Sequence, residues 1–106
     1  MTALTATNPL KKKWTVGGTV ATDVEFREAL VEDLIAAEQD ANPNLSPNAY
    51  TAALAALTIV RAGTYTGPFG PALFNKMPAT NFAVVRETMS EANALGEDVP
   101  ASEKTS

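Results

Sequence analysis

Glu25, Glu28, Glu32 and Asp33 crowd one stretch of the chain. Carboxylates held at short range can divide acid and base roles or share a hard cation. Among 106 residues there is no His and no Cys. That removes thiolate nucleophiles, His-based triads, the usual zinc ligand sets and disulfides. Carboxylates are then the remaining catalytic candidates. They lack the glycine-spaced calcium loop, and acids near a helix N-terminus are favoured there by the dipole alone. The spacing therefore favours a solvated acidic face over an acid–base or metal centre. Gly17-Gly18 and "GPFG" (67–70) lack phosphate-loop spacing and read as turns.

Two elements must position those acids. Val20, Thr22, Val24 and Phe26 alternate with their neighbours, as in a half-buried strand. Leu30, Val31, Leu34 and Ile35 then recur at helical spacing, with Glu32, Asp33, Glu38 and Asp40 on the other side. Upstream, "KKKWTV" (11–16) and "TVATDVEF" (19–26) flank the two glycines, which predicts a short hairpin. Residues 1–10 read as a mobile arm. The first helix is predicted over 30–40 and ends at Asn42-Pro43-Asn44.

"LSPNAYTAALAALTIVRAG" predicts a second helix with Ser46 as N-cap, Pro47 in the first turn and Gly63 as the glycine past its end. Its expected stripe is Tyr50, Leu54, Leu57 and Ile59 or Val60, with alanines that let neighbours approach. "PALFNKM" predicts a short helix. A last helix over 80–95 is expected to bury Phe82, Val85, Met89 and Ala92. Residues 97–106 have the composition of a disordered acidic tail. The expected class is α+β: an N-terminal β-hairpin followed by a small bundle of three to four helices, in a single domain over 11–96.

Charge and hydropathy exclude several function classes. Net charge is −4, and hydrophobic residues make up 45% of the chain. An acidic chain lacks the basic face that neutralises phosphates. Residues 1–22 carry +3, through Lys11, Lys12 and Lys13, whereas 23–40 carry −6. "KKKW" could touch nucleic acid through its bases and a stacking Trp; lysines on an edge strand also block edge-to-edge pairing. The N-terminus does not read as a signal peptide. The most apolar run, "AALAALTIV" (52–60), is too short to cross a membrane and reads as a core helix. Phe69, Leu73, Phe74 and Met77 sit on a Pro-bounded segment; they are partner-binding candidates, with ordinary core packing as the alternative.

The linear order carries a resemblance. "WTVGGTVATDVEFREALVEDLIAAE" resembles the N-terminal pattern of the tail assembly chaperone family of contractile-tailed phages, the group with Mu-like and P2-like members. The shared layout is strand, Gly turn, a strand ending in an apolar-Arg pair (Phe26-Arg27), and a helix with an Asp-Leu pair (Asp33-Leu34) before "AAE". "YTAALAALTIV" and "LFNKMPATNFAVVRETM" are similar to the helices that follow, so the likeness spans roughly 12–96. Many members place Pro two residues after the Arg, where this chain has Ala29.

The resemblance implies a non-enzymatic role without cofactors. The partner would be the tape-measure protein, kept soluble while the tail tube polymerises, with the tail tube protein and self-association as further possibilities. It also implies residence in the host cytoplasm during assembly and absence from the mature virion. A structural tail component and a small regulatory domain remain the other classes.

Overall fold

The computed structural model describes residues 4–95. Three strands, β1 (Thr5–Val16), β2 (Thr19–Arg27) and β3 (Ile59–Ala62), form an antiparallel sheet in the order β1-β2-β3. Four helices accompany it: α1 (Val31–Asp40), α2 (Pro47–Thr58), α3 (Ala72–Asn75) and α4 (Ala79–Ala94). The class is α+β, as the hairpin and the helical periods predict.

The hairpin turns on Gly17 and Gly18, both at positive φ (58° and 77°), the backbone that a two-residue turn with right-handed strand twist requires. A Cβ on Gly17 would also overlap the ring of Tyr65. The hairpin is longer than its sequence signal. Residues 5–10, expected in a mobile arm, belong to β1 and pair with β2 from Thr5↔Arg27 to Pro9↔Asp23. The remaining arm positions, 1–3, and the acidic tail, 97–106, lie outside the described residues.

Between Pro9↔Asp23 and Trp14↔Ala21 the register slips, so that Leu10 to Lys13 bulge opposite Thr22. A bulge frees backbone groups that need partners. Asn81 of α4 supplies them. Its Oδ1 accepts from the Lys11 and Lys12 amides at 3.0 and 2.9 Å, and its Nδ2 donates to the Lys12 carbonyl at 2.9 Å. Further along α4, Thr88 accepts from the Asn8 amide group at 2.9 Å, and Asn93 accepts from the Ala29 N–H at 2.9 Å. Helix α4 is thus pegged to the sheet by polar side chains beside its apolar Val85, Met89 and Ala92, all buried. Phe82 is only half-buried, under the guanidinium of Arg86 at 5.2 Å.

Helix α2 is shorter than its periodicity suggests. It stops at Thr58, and Ile59 turns extended to begin β3, pairing Ile59 with Phe26 and Ala62 with Val24. The β-branched run Thr58-Ile59-Val60 favours a strand once an edge of β2 is available. Gly63 is therefore not a helix terminator. It closes the turn after β3 at φ 58°, with its α-carbon backed against Ala21. Ser46 does occupy the N-cap of α2, but its hydroxyl makes no capping hydrogen bond.

Of the expected α2 stripe, Leu54 is buried, Tyr50 half-buried, and Leu57 is 40% exposed. Leu54→Ala should therefore cost about 2–3 kcal/mol, the low end for a buried Leu because its helix neighbours are alanines. Leu57→Ala and Ser46→Ala should each stay within about 1 kcal/mol. Urea midpoints of the three variants check this ranking. Equal shifts for Leu54 and Leu57 would contradict the packing described.

Candidate functional site

The four clustered carboxylates do not converge. Glu25 lies within the sheet, accepting from Arg61 Nε at 2.8 Å and from the Thr5 hydroxyl at 2.7 Å, and Arg61 also reaches Asp23 at 3.1 Å. This ladder ties all three strands together. Glu28 and Glu32 are exposed. Among the described residues, no group of three or more His, Cys, Asp or Glu side chains is placed to hold a metal ion.

Asp33 turns inward. Its carboxylate takes a two-pronged grip from Arg27, at 2.8 Å (Nη1 to Oδ2) and 3.1 Å (Nη2 to Oδ1), and accepts from the Leu30 amide at 2.8 Å. Arg27 also donates to the carbonyls of Glu28 and Leu57, both at 2.9 Å. One guanidinium thereby joins the end of β2, the start of α1 and the end of α2. The Arg27 hydrogen bonds outweigh the effect of burial and hold the Asp33 carboxyl below its ordinary value.

The inward face of α1 is thus ionic and small, made of Asp33 and Ala37, both buried. The apolar side expected to face inward instead faces out, and of the expected outward acids Asp33 is buried while Glu32, Glu38 and Asp40 stay exposed. Val31 is 69% exposed, Leu30 53%, Ile35 52% and Leu34 37%. Full burial of a Val, Leu or Ile side chain is worth about 1.5–3 kcal/mol, so this face forgoes a large apolar gain. Beside it, Leu4 and Leu30 line a hollow of about 350 Å³ with Arg27 and Glu28 on its wall.

The apolar quartet named from the sequence lies elsewhere. Phe74 and Met77 are buried, and Phe69 and Leu73 are half-buried against the same core. Phe74 stacks on Trp14 with ring centroids 5.4 Å apart. That contact buries Trp14 and takes its ring out of play as a stacking platform. Phe74 and Met77 still show an edge to a hollow of about 320 Å³ between α2, α3 and α4, closed by Ala49, Ala52 and Phe82. A hollow of about 520 Å³ beside Arg86 and Asn93 brings no second titratable side chain to Arg86 among the described residues.

The α1 face escaped the sequence because the spacing gives a stripe but not its direction. The available signal was Arg27, an arginine closing a strand just before a helix with an acid in its first turn. Compared with known proteins, the chain matches no family model, no curated protein and no solved structure.

Proposed function

We propose that this chain is a non-enzymatic tail assembly chaperone, which binds the tape-measure protein of a contractile-tailed phage and keeps it dispersed while the tail tube grows. It acts in the host cytoplasm and is left out of the finished particle. The observation that carries this reading is the outward apolar face of α1, which suits a protein whose work is to cover apolar surface of another chain. The residues of the sequence resemblance lend further support, because they meet in space. Arg27 of the strand-ending pair grips Asp33 of the helical pair, and that grip turns Leu34 toward the surface.

Co-expression with the cognate tape-measure protein is the test. The expected outcome is a higher soluble yield of that protein and its co-purification with this chain. No gain in yield and no co-purification would overturn the reading. Recovery of this chain as a component of purified virions would replace it with a structural role in the tail.

A further inference from the structure

We infer that the outer face of α1 is a docking surface for an amphipathic helix whose apolar stripe is flanked by Lys or Arg. The inference rests on the chaperone reading for the partner's identity, but the surface itself is argued from its own geometry and charge.

The geometry favours a helix. Leu30, at the N-cap of α1, and Leu34 lie along one i, i+4 line, and Val31 and Ile35 form the adjacent ridge. Two adjacent ridges enclose a groove that takes an i, i+4 ridge of a second helix, the commonest way helices pack. Leu4 extends the apolar strip at the start of α1, where the hollow beside Leu30 can seat one large side chain. The ten residues of α1 are about 15 Å long, enough for roughly three turns of a partner.

Charge chooses the partner. Glu28, Glu32 and Glu38 border the apolar strip, all exposed. None of them forms an ion pair among the described residues, and the nearby cation, Arg27, is committed to Asp33. A negative rim around an apolar centre steers and orients a partner with positive flanks. It also disfavours a two-fold pairing of α1 with its copy, which would set the same acids against each other.

The probe is a synthetic amphipathic peptide with a Leu stripe and Lys flanks, compared with a twin that carries Glu in place of each Lys. The Lys peptide should bind at least about tenfold more tightly at low salt, with the gap closing as salt screens the rim. Amide shifts in an NMR titration should cluster at Leu4 and residues 30–38. Leu34→Asp with Ile35→Asp should weaken binding at least about tenfold in a chain whose amide spectrum remains that of the folded protein away from α1. Glu32→Lys with Glu38→Lys should reverse the preference between the peptides.

Equal binding of the two peptides, or shifts mapping elsewhere, would overturn the inference. So would a wild-type dimer that the Leu34/Ile35 variant dissociates without either peptide binding, which would make this face a self-association surface. The two readings separate in co-expression. If the wild type and the Leu34/Ile35 variant capture the tape-measure protein equally, the surface is wrong and the chaperone reading stands. If the peptide docks on α1 but the wild type captures no tape-measure protein, the surface stands and the chaperone reading falls.

Discussion

Arg27→Met should destabilise the protein by about 3–5 kcal/mol, more than Asp33→Ala at about 2–3 kcal/mol. The asymmetry follows from what each change leaves behind. Without Arg27, the Asp33 carboxylate is 8% exposed and faces no cation, so an uncompensated charge stays buried. Without Asp33, the Arg27 side chain is a third exposed and can be rehydrated, keeping its bonds to the carbonyls of Glu28 and Leu57. Urea unfolding of both variants at neutral pH measures the difference, and a larger loss for Asp33→Ala would refute this account of the pair.

The same pair sets an acid limit. The folded-state pKa of Asp33 is below its ordinary value of 3.8. Its contribution is therefore complete above that value and is lost as pH falls through the lower, folded one. Asp33→Asn should remove this part of the slope as pH falls below 3.8. The penalty of Arg27→Met should shrink over a higher range, because a buried carboxyl without its cation titrates upward and is neutralised earlier.

Asn81→Ala should cost about 3–5 kcal/mol, since one fully buried amide satisfies two backbone donors and one acceptor of the β1 bulge. Asn81→Leu restores the volume but none of the bonds and should be nearly as damaging. Amide exchange at Lys11 and Lys12 should accelerate in both variants, ahead of the rest of β1. A shift below about 1 kcal/mol with unchanged exchange would mean that water or another group holds the bulge as well as Asn81 does.

Local signals made part of this fold legible. Two glycines between alternating runs gave the hairpin, and Pro78 with the apolar period gave α4 nearly to the residue. Features fixed by partners distant in sequence were not. Residues 5–10 are strand because 23–27 are there to pair with them. The run 59–62 continues a helical pattern on paper but finds the open edge of β2. For Phe74 and Met77 the sequence left partner contact and core packing equally open, because nothing near Phe74 announces Trp14 as its neighbour. The inward turn of Asp33, and with it the outward turn of the apolar residues of α1, depended on one ion pair across the strand-to-helix junction that charge spacing does not reveal.

The pegging of α4 onto β1 has a consequence for how the protein is made. Asn8 and the bulge at Lys11–Lys12 meet their partners, Thr88 and Asn81, only when α4 exists. During synthesis, the parts of β1 and β2 that pack against α4 must therefore wait on the ribosome without that cover. Such closure between early and late segments carries a high loop entropy and slows folding. A nascent chain ending before Ala79 leaves uncovered the part of the sheet that α4 packs against, open to association with its neighbours on the same message. A chain proposed to guard another is thus itself unguarded until α4 has been translated.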